Sequence, residues 1–110
     1  MKKLLLLAFT LLCSQVLVAQ TGVITGKILD IETKQPLLGV SVVVLEKNIG
    51  ATTDENGIYR ITNVPEDIYK LKISYVGYKT YIETDVRVTR DKSTYVKEIE
   101  LEEAPVVGNE

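Results

Sequence analysis

The sequence predicts an all-β protein, an antiparallel sandwich of about seven strands. Three observations carry that expectation. Apolar residues recur with period 2, turn signals interrupt them at short spacing, and no window sustains a 3.6-residue period. Several short alternating strands separated by regular turns read as a two-sheet sandwich, because each strand buries one face only.

The elements follow in order. Ile24, Gly26 and Ile28 share one face of a first strand. Val40, Val42 and Val44 share a face of the second, in a run, VSVVVL, rich in β-branched residues that suit a pleated surface. Tyr59 and Ile61 alternate after a turn. Tyr69, Leu71, Ile73 and Tyr75 alternate against Lys70, Lys72 and Ser74, and Tyr59, Tyr69 and Tyr75 are expected to pack inward with their hydroxyls at the sandwich edge. Tyr95, Lys97, Ile99 and Leu101 are read as one face of a last strand, with Lys97 the misfit. The predicted turns are residues 32–36, 47–50, 54–57, 65–67 and 90–92.

The start of the chain has a different character. Met1-Lys2-Lys3 is a basic segment, Leu4 to Leu12 is apolar, and Ser14 to Gln20 turns polar around the small residue Ala19. That order is a secretory signal peptide over residues 1–19, too interrupted for the roughly 20 apolar residues of a membrane span. A lipid-anchored alternative centred on Cys13 is disfavoured because Leu12 is not small. The expected folded domain runs from residue 22 to 102, and residues 103–110 form an acidic, flexible tail.

Composition excludes much chemistry. The 110 residues contain no histidine, one cysteine, 25% charged residues and a net charge of −2. The only cysteine is Cys13, so the chain beyond the signal peptide has no thiol and no disulfide. His-based triads, Cys nucleophiles and zinc sites with His or Cys ligands are therefore ruled out. A mildly acidic chain without a Lys/Arg cluster argues against nucleic acid. The paired acids, Glu66 with Asp67 and Asp30 with Glu32, sit at turns and are read as solvated. No catalytic, cofactor or metal residue is predicted.

The stretch TTDENGIYRI (52–61) tests that reading. An EF-hand places its glycine at position 6 and a glutamate at position 12 of the loop. Counted from Asp54, Gly57 falls at 4 and Pro65 at 12. The stretch is instead read as a hairpin turn of type I′ at Asn56-Gly57, with Asp54 accepting from the backbone two residues on. The alternative reading is a ligand-binding module, for carbohydrate or Ca²⁺, that uses the loop ends, with Tyr78 and Tyr81 after the bend at Gly77 as its candidate contacts.

The ordered set GKILD, TKQPLLGVSVVV, TTDENGIYRI and SYVGY resembles the carboxypeptidase-regulatory-like domain. The resemblance covers roughly residues 22–102. It implies an Ig-like, transthyretin-like sandwich in which Gly26, Asp30, Pro36, Gly39, Asp54, Asn56, Gly57, Tyr59 and Gly77 are structural positions. Such domains often follow the signal peptide of TonB-dependent outer-membrane receptors, ahead of a short box, a plug and a barrel. The resemblance therefore implies export, a place at the periplasmic side of the outer membrane, and envelope proteins (the receptor or its energising components) as partners. LEEAPVVG (101–108) is similar to a degraded form of that box, from which Ala104 and Pro105 depart. The sequence stops before any plug or barrel, so it is read as a stand-alone module or the start of a receptor.

Overall fold

The computed structural model describes residues 20–105; the predicted signal peptide and residues 106–110 lie outside the described residues. Eight strands form two sheets: β1 (Thr21–Asp30), β2 (Ser41–Val44), β3 (Ile49–Thr52), β4 (Ile58–Pro65), β5 (Asp67–Ser74), β6 (Tyr81–Val88), β7 (Ser93–Tyr95) and β8 (Ile99–Leu101). The first sheet has the order β4-β1-β7, with β8 following β7 along the same edge of β1. The second has the order β3-β2-β5-β6.

The core lies between the sheets where the alternation placed it. Ile24, Ile28, Tyr59, Ile61, Ile99 and Leu101 from the first sheet meet Val42, Val44, Tyr69, Leu71, Ile73, Val86 and Val88 from the second, all at most 7% exposed. With a full apolar side chain worth about 1.5–3 kcal/mol when buried, this layer is the main driving force for folding.

The structure revises the sequence reading in several places. The sandwich is not wholly antiparallel: β7 and β8 both run parallel to β1, Thr25 opposite Tyr95 and Leu29 opposite Glu100. The expected last strand is two short ones. Its alternation breaks over residues 96–98, so that Tyr95 is 80% exposed while Ile99 and Leu101 are buried. Val96 packs against the core in place of Tyr95, and Lys97, no longer a core misfit, is exposed.

Two further shifts of parity have the same cause. In β4 the buried face passes from Tyr59 and Ile61 to Val64 across a bulge in which Asn63 takes φ 58°. In β6 it passes from Tyr81 and Glu83 to Val86 and Val88 across a bulge at Asp85, φ 57°. A bulge inserts one residue, and one residue reverses which side chains face the core. For that reason β6, with its pattern YIETDVRV, does not read as an alternating strand.

The chain also crosses between sheets more often than a hairpin reading allows. β3 and β4 belong to different sheets, so residues 53–57 carry the chain across the sandwich rather than joining paired neighbours. The turn itself is not type I′. Gly57 donates to the Asp54 carbonyl at 2.9 Å, and φ is positive at Gly57 (76°) but not at Asn56. This is a type I turn continued by a left-handed glycine. The turn expected at 47–50 falls instead at Leu45–Asn48, and Gly50 is inside β3.

Candidate functional site

The motif residues converge on one end of the sandwich. At the end of β1, Asp30 is 7% exposed, not the solvated turn acid expected. Its Oδ1 accepts from the N–H groups of Glu32 (2.8 Å) and Thr33 (3.0 Å), which closes the β1–β2 turn. Its Oδ2 accepts from the Tyr78 hydroxyl at 2.5 Å. The Tyr78 hydrogen bond, then the two backbone donors, hold the Asp30 carboxyl below its ordinary value. The same contact, followed by desolvation, pushes Tyr78 from 10.0 up to about 12. Both shifts have one meaning: the proton stays on the phenol and the charge on the carboxylate.

The other pieces attach in sequence. Gly57 is buried, and a Cβ there would stand 2.5 Å from the Ile28 carbonyl oxygen and 2.9 Å from Pro36 Cβ. Ile28 donates to the Gly57 carbonyl at 2.8 Å. Gly57 is thus required twice, by its positive φ and by the close approach of β1 and Pro36. Asp54 supports the turn as expected: Oδ1 accepts from Asn56 (2.9 Å) and Ile58 (3.0 Å). Pro36 bridges to Leu29, and at Gly39 (φ 87°) an added Cβ would stand 3.7 Å from the Tyr75 ring. Tyr75 stacks at 5.6 Å on Tyr78, across the bend where Gly77 takes φ 86°.

Thr53, only 3% exposed, stitches two of these segments together. Its hydroxyl donates to the Leu37 carbonyl (2.5 Å) and accepts from the Val40 N–H (2.9 Å). Its backbone exchanges bonds with Gly39 and Val40 at 3.0 Å. This role is not legible in the sequence, because a lone threonine before an Asp turn carries no signal for a partner 16 residues away.

The segment after β8 joins the same end. Lys79 N–H donates to the Glu102 carbonyl (2.9 Å) and Ala104 N–H to the Gly77 carbonyl (2.8 Å), with Glu103 opposite Tyr78. Of the residues expected in the flexible tail, Ala104 is therefore hydrogen-bonded to the Gly77 bend and Glu103 is paired with Tyr78.

The tyrosines proposed as ligand contacts are both half-buried with engaged hydroxyls: Tyr78 on Asp30, and Tyr81 on Glu83 Oε1 at 3.0 Å. Tyr59 departs from expectation too. Its ring lies over Gly26, where a Cβ would collide with it, and its hydroxyl is inside the sandwich with no hydrogen-bond partner. Burial, then the charge of Glu83, raises its pKa. The Tyr69 hydroxyl donates to the Pro65 carbonyl at 2.7 Å.

β6 forms an edge of the second sheet. A groove of about 330 Å³ separates it from the broken edge of the first, lined by residues that include Glu83, Val86, Thr94, Tyr95, Val96 and Lys97.

A family model described as "CarboxypepD_reg-like domain" matches residues 24–110. No curated protein sequence matches the chain. Among solved structures, a type II cohesin–X-dockerin complex from Acetivibrio cellulolyticus is similar, with 24% identity, 73% of this chain and 56% of that chain covered, and a TM-score of 0.64. GBS52, the minor pilin of Streptococcus agalactiae, is 24% identical over 86% of this chain and 49% of that one, with a TM-score of 0.56. A putative carbohydrate binding protein from Bacteroides uniformis is 16% identical over 72% and 40%, with a TM-score of 0.54. The chain thus spans about half the length of the structures it matches, and at these identities the likeness shows the fold. By its family match over most of its length, with the expected motif residues assembled into one end of a β-sandwich, the chain belongs to the CarboxypepD_reg-like domain family.

Proposed function

We propose that this chain is a non-catalytic interaction domain of the cell envelope, akin to the N-terminal extension of TonB-dependent outer-membrane receptors and positioned on the periplasmic side of the outer membrane. The observation that carries the reading is the use to which the motif residues are put. Asp30, Thr53, Asp54 and Tyr78 spend their polar atoms on the backbone and on one another. What remains for function is surface: sheet edges and loops, the parts of a sandwich that make protein contacts. Its partners are the receptor or its energising components.

Affinity capture from envelope extracts, with this chain as bait, tests the proposal. Recovery of a TonB-dependent receptor or of an energising component is the expected result. Recovery of neither, from cells that express both, overturns it.

A further inference from the structure

The four sheet edges differ in what they offer a partner. β3 has four residues, and β7 and β8 have three each; β4 and β6 have eight. Long edges present rows of unpaired backbone groups. The β4 edge has its first carbonyl taken by Asp54 N–H at 2.9 Å and ends in Pro65. β6 pairs only with β5. Among the described residues the hydrogen bond its free side receives is from the Thr94 hydroxyl to the Arg87 carbonyl at 2.7 Å. The stretch from Tyr81 to Asp85 makes no such bond, and a groove runs beside β6 from Glu83 to Arg87, where the facing edge is interrupted between β7 and β8.

Glu83 sets the chemistry of that groove. It lies on the core-facing side of β6, opposite Leu71, half-buried. One carboxylate oxygen accepts from Tyr81; Arg87 and Lys97 line the same groove, but among the described residues neither stands within ion-pair distance of Glu83, the two ion pairs formed being Lys34–Glu100 and Lys79–Glu102. Deeper in the sandwich is the unpartnered hydroxyl of Tyr59, which is 1% exposed. A carboxylate on the inner face of an edge strand, without a cation, costs desolvation that a guest cation would recover.

An inward charge and a bulge are also the devices that keep an edge from pairing indiscriminately. A guard alone requires only that Glu83 repel strands; it does not require a groove deep enough for side chains. We infer that the β6 edge from Tyr81 to Asp85 takes up an extended segment of a partner protein as an added strand of the second sheet, with a lysine or arginine of that segment facing Glu83. Alternate side chains of such a strand enter the groove beside Val96 and Tyr95, and the others lie next to Ile82 on the outer face. The inference rests on the interaction-domain reading and names the surface that serves it.

Two blocked octapeptides, TVTKTVTG and the same peptide with glutamate in place of lysine, test it against the isotope-labelled protein by amide NMR. The lysine peptide is expected to shift the amides of Tyr81–Asp85 and Tyr95–Lys97, and the glutamate peptide to bind about tenfold more weakly, the effect of one charge-assisted hydrogen bond. Glu83→Gln, checked as folded by the same spectra, should abolish that difference. Silence of these amides at about millimolar peptide, the weakest binding worth the name, overturns the inference, as does equal binding of both peptides. If Glu83→Thr raises self-association in light scattering and leaves the lysine-peptide shifts unchanged, Glu83 is a guard only. Capture of a receptor with a silent β6 edge would refute this surface and leave the proposed function standing.

Discussion

The two ends of the polar chemistry in this molecule contrast sharply. At the motif end, Asp30 has three donors, Thr53 one donor and one acceptor, and Asp54 two donors. Along the groove between β6 and β7, Glu83 holds a carboxylate with no ion-pair partner, and inside the sandwich Tyr59 holds a buried hydroxyl with no partner. Saturated polar networks specify a single structure, while unsatisfied groups mark places where something else can bind. Asp30, Thr53, Asp54 and Tyr78 are thus committed to holding the fold and are not free for contacts.

Four measurements would break or sharpen this contrast. The largest effect is expected for Gly57→Val, which forces a β-branched residue to positive φ and drives its Cβ into the Ile28 carbonyl and Pro36. A loss of about 3 kcal/mol or more in urea denaturation follows from adding overpacking to backbone strain. An unchanged melting temperature would mean that the turn is not built as described.

Thr53→Val comes next. It keeps the shape but leaves the Val40 N–H and Leu37 carbonyl short of a partner in a buried site. A cost of about 1–3 kcal/mol is expected; a neutral result would show that the two segments are held without it.

Tyr78→Phe is best read through pH. Because Tyr78 is raised in the folded state, from 10.0 to about 12, its contribution is fully present below pH 10 and is lost as pH rises toward 12. The stability gap between the native protein and Tyr78→Phe should therefore shrink between pH 10 and 12. At the acid end the sign is opposite: Asp30, lowered from 3.8, contributes above that value and loses its contribution as pH falls below it. A gap that is flat across the alkaline range would separate Tyr78 from Asp30.

The smallest effect is expected for Tyr59→Phe. Removing a buried hydroxyl that has no partner relieves its desolvation and should leave stability unchanged or raise it by about 1 kcal/mol. A clear destabilisation would mean the hydroxyl is bonded, and would bring the groove closer to the motif end in character.

The core was largely legible because period-2 alternation maps directly onto the two faces of a strand. Ile24, Ile28, Val42, Val44, Tyr59, Ile61, Leu71 and Ile73 are buried as the pattern implies. It failed at Asn63, at Asp85 and over residues 96–98, each a bulge or break that reverses parity. Nothing local announces such an insertion, since the extra residue is absorbed only when the partner strand fixes the register. The turn at Asp54 was legible as a turn, with its glycine and its capping carboxylate, but not as a crossing between sheets.

By itself the sequence determined the class of fold, the residues of the core, the chemistry that histidine and cysteine would have supplied, and the ordered motif that marks the family. These depend on residue type and near-neighbour spacing. The tertiary structure alone decided that Asp30 meets Tyr78 across 48 residues, that β7 and β8 run parallel to β1, and that Tyr95 rather than Tyr78 or Tyr81 is the exposed ring. These are contacts between segments distant in sequence, and their geometry exists only once the two sheets have closed on each other.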